Sequence, residues 1–429
     1  MAIAWRLHAM STSASLPDTA WTCPFCPLLC DEFALDTVPE VPVLRGSDCP
    51  RALAALERHA RPHIVEAASV DGRAVAAAEA IAEAARRLAT WRQPLFSGLG
   101  TDIAGARALY RLAARTGAIC DHADGEALTL VVRLQQDRGQ FTTTLAEVRA
   151  RADLVVCMNT DAVARFPEFF NRCELDGPDG PRPSLVFFGA PVPPGLPAGL
   201  EARTVSTSGD AFADLQQLAA LVALQRVERP RPELAALAAQ LRVARYAVLV
   251  WEPATLPANG ALWAEMLQRL VSTLNRHTRA ATLALGGGDG ASSVNQVFTW
   301  LSGLPLRTRA GPDGLEHEPR RFDTARLLAD RGVDGLLWIS SFDPSRLPPD
   351  TPLPRVVLGP PAMAERLRAQ GRARDDVFIP VATPGLNASG HLFRTDGLVV
   401  VPLTAARDDG LAGVTEVLAR LLERTGAQP

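Results

Sequence analysis

The sequence predicts an α/β protein of more than one domain, with largely parallel sheets. Short apolar segments recur along the chain, each ending in a polar or glycine-rich turn, and segments with helical periodicity separate them. Such alternation of strand and helix is typical of parallel sheets covered by helices. The chain has 429 residues, a length that fits two or three domains and a large core.

Composition narrows the kinds of partner that we expect. Hydrophobic residues make up 47% of the chain and charged residues 21%, and the net charge of −3 predicts neither nucleic acid nor a membrane surface as partner. No apolar run reaches the roughly 18 residues of a membrane span, and the N-terminus lacks the apolar segment of a secretory signal. We therefore expect a cytoplasmic protein with reduced cysteines. Since lysine is absent, Schiff-base and P-loop chemistry are excluded.

The elements follow in chain order. Residues 21–50 contain too many prolines for a long helix, and the alanine and leucine spacing of residues 60–91 predicts a helix. Residues 94–123 then predict a strand, a glycine turn, a helix and a second strand. Further strands are predicted in RADLVVCMNTDA, SLVFFGA, RYAVLVWEPA, ATLALGGG, DGLLWISSFDP, PRVVLGP and DDVFIPVATPG, and further helices in DAFADLQQLAALVALQR, ALWAEMLQRLVSTLNRH and AMAERLRAQ.

Two glycine-rich turns follow predicted strands, where α/β sheets bind ligands. The first, SGLGTDIAG, places Gly98, Gly100 and Gly105 outside the G-x-G-x-x-G spacing, which favours a tight strand-to-helix turn over dinucleotide binding. The second, GGGDG at residues 286–290, has the composition of a loop that cradles phosphate on backbone N–H groups and equally that of a flexible loop.

Four cysteines near the N-terminus, Cys23, Cys26, Cys30 and Cys49, predict a metal site. Their spacing is C-x2-C-x3-C-x18-C. Such sets hold a [4Fe–4S] cluster or tetrahedral zinc, and a single C-x2-C pair followed by irregular gaps fits the iron–sulfur cluster better. The alternative is a group of buried free thiols. For the other three cysteines, Cys120, Cys157 and Cys173, we expect core packing.

Several segments resemble the B subunit of formylmethanofuran dehydrogenase, in the molybdopterin oxidoreductase superfamily. They are FCPLLCDEF, GAICDHADG, RARADLVVCMNTDAVARFPEFFNRC, VNQVFTWLSGLPLRT, VDGLLWISSFDP and VFIPVATPGLNASGHLFRTDGLVVVPL. The resemblance implies a multi-domain molybdopterin-oxidoreductase-like fold with parallel-sheet Rossmann-like domains. With it we predict an N-terminal cysteine-rich segment at residues 1–65, a discontinuous α/β domain at residues 66–130 and 325–429, and an inserted α/β domain at residues 131–324.

The resemblance also implies a molybdenum or tungsten pterin centre with a Cys-His pair, the cysteine being the metal ligand, about ten residues after Gly117. The sequence has Glu126, Ala127 and Leu128 there, and Cys120 lies earlier, inside the predicted strand. Alanine offers no donor to a metal that takes a soft thiolate. We therefore expect the ligand and the Mo/W-pterin centre to be absent from this chain, and we assign it no catalytic residue.

One branch of the family fits a B subunit without redox chemistry: the bacterial formyltransferase/hydrolase complex of tetrahydromethanopterin-linked one-carbon metabolism. For that branch the resemblance implies a hetero-oligomer with A, C and D-type subunits, and these partners transfer and hydrolyse the formyl group. It also implies that a methanofuran-like molecule carries the formyl group. We further hypothesise that Arg307, Arg309 and Arg394 pair with carboxylates of that carrier, the alternative being solvated surface positions or local salt bridges. The alternatives are an active Mo/W-pterin dehydrogenase subunit with Cys120 as ligand, and a nucleotide- or anion-binding module of the same fold.

Overall fold

The computed structural model describes residues 20–60, 68–175, 182–197, 199–257, 259–371 and 376–425. Its strands are β1 Ala34–Asp36, β2 Val43–Arg45, β3 Ala68–Val70, β4 Arg73–Val75, β5 Pro94–Gly100, β6 Ile119–Cys120, β7 Leu154–Met158, β8 Ser184–Phe188, β9 Ala202–Val205, β10 Ala247–Trp251, β11 Ala280–Ala284, β12 Thr308–Gly311, β13 Gly314–His317, β14 Gly335–Ser340, β15 Arg355–Gly359, β16 Asp376–Pro380, β17 Gly390–Phe393 and β18 Val400–Leu403.

The helices alternate with these strands, as the sequence pattern predicts. They are α1 Pro50–Arg58, α2 Ala77–Thr90, α3 Ile103–Thr116, α4 Gly125–Arg138, α5 Leu145–Arg151, α6 Phe169–Arg172, α7 Ala211–Val222, α8 Pro232–Val243, α9 Gly260–Leu274, α10 Ala291–Ser302, α11 Thr324–Ala329, α12 Met363–Ala369 and α13 Val414–Thr425, with a short 3-10 helix at Pro253–Thr255.

Two sheets organise the chain. The five-stranded sheet has the order β11-β10-β7-β8-β9, with every neighbouring pair parallel. The nine-stranded sheet has the order β13-β12-β6-β5-β14-β15-β16-β3-β4, parallel from β6 to β16 and antiparallel at both edges. In the sequence, strands β3 to β6 of the nine-stranded sheet precede the five-stranded sheet, and strands β12 to β16 follow it. The predicted α/β class with parallel sheets is therefore confirmed, and the domain boundaries remain a prediction.

One predicted element differs from the structure. The helix predicted for residues 60–91 is wrong in its first half: β3 and β4 form an antiparallel hairpin, and the helix begins only at Ala77. Residues 61–67 of that prediction lie outside the described part. The turn residues Asp71 and Gly72 have φ of 51° and 78°, a left-handed conformation that a continuous helix does not allow. The hairpin then adds an edge to the nine-stranded sheet by pairing with β16.

Strand composition explains why both sheets are buried. β7, β8, β10 and β14 are runs of apolar residues without polar alternation, and nearly all of their residues are buried. Such runs are typical of parallel strands covered by helices on both faces. Among the described helices, none has the length and apolar character to cross a membrane.

Candidate functional site

The cysteine-rich segment packs as part of the core. Cys23, Cys26, Cys30 and Cys49 are all buried, at 4–7% exposure, in one apolar cluster. A tight loop forms because the Cys23 N–H donates to the Cys30 carbonyl at 2.8 Å, and because Leu29 adopts a left-handed φ of 49°. Cys49 joins them from the N-terminus of α1, where Pro50 supplies the preset φ of a first helical residue.

The four thiols are close enough to influence one another electrostatically. Burial raises the pKa of Cys23 well above its ordinary value, and the neighbouring thiols of Cys26, Cys30 and Cys49 raise it further. Burial also raises the pKa of Cys26, which the nearby Arg51 guanidinium partly offsets. The pKa values of Cys30 and Cys49 are raised by burial in the same way. Without a metal, all four are therefore neutral buried thiols at physiological pH.

The donor set fits a thiolate-bound metal cluster in its chemistry. Four sulfur ligands in one buried segment match the requirement of a [4Fe–4S] cluster, and metal binding would release the four protons. Across the described ranges, no set of three or more His, Cys, Asp or Glu side chains is positioned to hold a single metal ion. The four cysteines form no such set either, so the predicted cluster rests on their spacing and shared burial. The metal site stays a prediction.

A cavity of about 300 Å³ adjoins the cysteine segment. Pro24, Phe25 and Pro27 of that segment form one wall, and the turns that follow β10, β11 and β14 form others. The carboxyl ends of strands from both sheets therefore meet at this cavity. In open α/β sheets this is where ligands bind, because side chains and free backbone groups of the strand-to-helix turns converge there.

Ala127 and Leu128, at the expected place of the Cys-His metal ligand pair, line this cavity from helix α4. Cys120 does not reach it: Cys120 is 1% exposed inside the nine-stranded sheet, where β6 pairs with β5 and β12. His122 is also buried, and burial lowers its pKa to about 4. Its Nδ1 accepts the Asp124 N–H at 2.9 Å, and its Nε2 lies 3.3 Å from the Asp289 carbonyl oxygen. The packing therefore does not favour Cys120 as a displaced metal ligand.

The three arginines proposed for carrier carboxylates are paired within the chain. Arg394 binds the carboxylate of Asp396 through Nη2 at 2.5 Å, and Arg309 lies 3.0 Å from Glu316. Arg307 is only 3% exposed. The structure therefore agrees with the alternative of local salt bridges for these three residues. The arginines that line the cavity are Arg51, Arg58, Arg165 and Arg346. Sequence reasoning missed them because no motif marks them.

The two glycine-rich turns lie against each other beside the cavity. A Cβ at Gly290 would lie 2.1 Å from the Thr101 carbonyl oxygen, and one at Gly100 would lie 2.9 Å from the Asp289 carboxylate. Gly98 and Leu99 have φ of 77° and 57°, and Asp102 caps α3 by accepting the Gly105 N–H at 2.9 Å. GLGTD is therefore the predicted tight turn, whereas Gly286, Gly287, Gly288 and Asp289 line the cavity.

Two α/β sheets with largely parallel strands therefore meet at a cavity beside a buried cysteine-rich segment. No protein-family profile matches the chain. The B subunit of the formyltransferase/hydrolase complex Fhc from Methylorubrum extorquens is 28% identical over 364 residues, which cover 83% of this chain and 96% of that protein. The B subunit of the tungsten-containing formylmethanofuran dehydrogenase 2 from Methanocaldococcus jannaschii is 23% identical over 442 residues, which cover 94% of this chain and 97% of that protein.

A solved structure agrees with the sequence relatives. A chain of the formyltransferase/hydrolase complex (FhcABCD) from Methylorubrum extorquens, crystallised with methylofuran, superposes with a TM-score of 0.71 and 28% identity. The match covers 84% of this chain and 98% of that chain. The protein is therefore a homologue of the B subunits of formylmethanofuran dehydrogenase and of the formyltransferase/hydrolase complex, which confirms the predicted resemblance.

Proposed function

We propose that this chain is the B subunit of a formyltransferase/hydrolase complex and that it carries no redox chemistry of its own. The observation that carries the proposal is the apolar pair Ala127 and Leu128 in the cavity wall, where a dehydrogenase would need a thiolate ligand. In this function A, C and D-type partner subunits transfer the formyl group between tetrahydromethanopterin and a methanofuran-like carrier and hydrolyse it to formate. The chain acts in the cytoplasm as part of the hetero-oligomer.

A pull-down from the native host tests the assembly. We expect the tagged full-length chain to purify with three other polypeptides, and the preparation to release formate from the formylated carrier. The preparation should show no formate oxidation with an artificial electron acceptor. A chain that purifies alone, or a preparation that oxidises formate, would contradict the proposal.

We further propose that Cys23, Cys26, Cys30 and Cys49 hold a [4Fe–4S] cluster that supports the fold. When bound, such a cluster cross-links the loop of residues 23–30 to the start of α1 and is able to accept one electron. The protein supplies the buried surroundings that exclude water from it. The Mo/W-pterin centre has no place in this proposal.

Metal analysis of the complex, purified without air, tests the cluster. We expect about four iron and four sulfide per chain, the content of one [4Fe–4S] cluster, and no molybdenum, tungsten or extractable pterin. Cys26→Ala should lose most of the iron, whereas the matched control Cys157→Ala, which also removes a buried thiol, should keep it. Wild-type protein without iron would mean that the thiols only pack in the core, and molybdenum or tungsten with pterin would restore the dehydrogenase alternative.

A further inference from the structure

Arg51 brings a positive charge to the cavity wall, and it forms no ion pair with a carboxylate of the described residues. Its Nε donates to the Phe25 carbonyl at 2.9 Å and its Nη1 to the Arg165 carbonyl at 2.7 Å. Within the described part of the chain, no carboxylate lies within ion-pair distance of it. The other three cavity arginines each have one: Asp343 for Arg58, Glu252 for Arg165, and Asp124 with Asp289 for Arg346. The Arg51 charge is therefore available to a ligand.

The glycine loop next to Arg51 has free backbone donors. Gly286 donates its N–H to Thr395 Oγ1 at 3.3 Å, and Ala291 donates to the Gly288 carbonyl at 3.0 Å. Between them, the N–H groups of Gly287, Gly288 and Asp289, three residues that line the cavity, donate to no acceptor in the described chain. A Cβ at Gly288 would lie 3.7 Å from Arg51 Nη2, so the loop and the guanidinium are neighbours. Successive free N–H groups beside an arginine are typical of anion sites.

We propose that this cavity binds an oxyanion, the carboxylate or phosphate group of a small molecule, through the Arg51 guanidinium and the free N–H groups of residues 287–289. Arg165 adds a second guanidinium at the same wall, since both it and Arg51 lie about 6 Å from the centre of the Phe166 ring. A volume of about 300 Å³ suits a small molecule. The inference goes beyond the proposed function and does not depend on which complex the chain joins.

Asp289, in the same loop, makes the site sensitive to pH. Its side chain is 9% exposed and neither carboxylate oxygen accepts a hydrogen bond, although Arg346 Nη1 lies 3.3 Å from Oδ2. Burial raises the pKa of Asp289 to about 6; the charges of Arg346 and Arg51 lower it, and those of Asp124 and Asp343 raise it. His122 faces only its backbone oxygen. An ionised Asp289 repels an oxyanion, so binding should strengthen as pH falls through about 6.

Calorimetric titration with sulfate tests the proposal, because the charge of sulfate does not change between pH 5.5 and 8. We use the full-length chain, within its complex if it purifies as one. Arg51→Gln should weaken binding at least tenfold, the loss typical of a charge-assisted contact. The matched control Arg269→Gln, which removes an exposed arginine paired with Glu265, should bind as the wild type does.

Asp289→Asn provides a second, independent test of the anion site if Arg51→Gln does not fold. We expect wild-type affinity for sulfate to rise several-fold from pH 8 to pH 5.5, and Asp289→Asn to bind at both pH values as tightly as the wild type does at pH 5.5. Titration with succinate and with glycerol 1-phosphate then assigns the natural ligand to carboxylates or phosphates. No sulfate binding to the wild type at millimolar concentration, or equal binding by wild type and Arg51→Gln, would overturn the proposal.

Discussion

Arg307→Met should lower the free energy of unfolding by about 3–5 kcal/mol, the loss typical of leaving one partner of a buried ion pair alone. Arg307 donates from Nε to Asp121 at 3.2 Å, from Nη2 to Asp323 at 2.7 Å and from Nη1 to the Pro319 carbonyl at 2.6 Å. The side chain of Asp121 is only 2% exposed. Burial raises the pKa of Asp121, and the Arg307 charge is the largest factor that lowers it.

The substitution should disturb contacts between the end of β6, the start of α11 and the segment before β12. The second oxygen of Asp121 accepts the N–H and hydroxyl of Thr324, both at 2.9 Å, at the start of α11. Asp121 thus links the end of β6 to that helix, and Arg307 holds the same carboxylate from the segment before β12. Without the guanidinium, the carboxylate would have to take up a proton or draw in water, and either change disturbs three elements at once.

Urea unfolding of the full-length chain, followed by circular dichroism, measures the effect. Arg309→Met is the matched control two residues away: Arg309 pairs with Glu316 at 3.0 Å, and both side chains are 20–31% exposed, so we expect a loss of no more than about 1 kcal/mol. Adding Asp121→Asn to Arg307→Met should recover part of the stability, because the neutral amide is less costly to bury. Equal losses for Arg307→Met and Arg309→Met would show that the buried pair contributes little.

Arg307 also shows which features the sequence predicts and which it does not. The strands are predictable because a run of buried apolar residues such as LVVCM depends only on local composition. The cysteine segment is visible because four rare residues share a short stretch. In contrast, nothing near LPLRTRAG in the sequence distinguishes the buried Arg307 from the partly exposed Arg309. Their different surroundings arise from contacts with Asp121 and Asp323, which only the folded chain brings together.

The candidate anion site likewise combines one feature that the sequence reveals with one that only the folded chain creates. The sequence singles out the GGGDG loop, because glycine permits the positive φ values of 82° and 74° that Gly287 and Gly290 adopt. A Cβ at Gly287 would lie 1.9 Å from Ser292 Oγ, so this position needs glycine for space as well. The partner of the loop, Arg51, is about 240 residues away in the sequence and belongs to α1. Such a pairing has no local signal, and it depends on how the cysteine segment packs against the five-stranded sheet.

Asp289→Asn should make the ligand-free protein more stable at pH 7.5, by about 3 kcal/mol, and leave it unchanged near pH 4. The folded-state pKa of Asp289 is raised to about 6 from an ordinary value of 3.8. A difference of about 2 in pKa corresponds to about 3 kcal/mol. Below about pH 4 the carboxyl is protonated in both the folded and unfolded states. Between about pH 4 and pH 6 the unfolded state loses its proton first, so the wild type loses stability as pH rises.

The difference in unfolding free energy between wild type and Asp289→Asn isolates the contribution of the Asp289 carboxyl group. His59 and His122, whose pKa values burial lowers to about 4, titrate in the same window, but they do so in both proteins and cancel. Unfolding is measured in urea at pH 4, 5, 6 and 7.5, in buffers without sulfate or phosphate, with the exposed Asp137→Asn as control. The stabilisation should grow up to about pH 6 and then level off. A difference that is independent of pH, or an Asp289→Asn protein less stable than wild type at pH 7.5, would show that the ion pair with Arg346 outweighs the cost of burying the ionised Asp289. A carboxylate that is costly to bury and nevertheless lines the same cavity as Arg51 is difficult to explain by stability alone, and a ligand-binding role accounts for the arrangement.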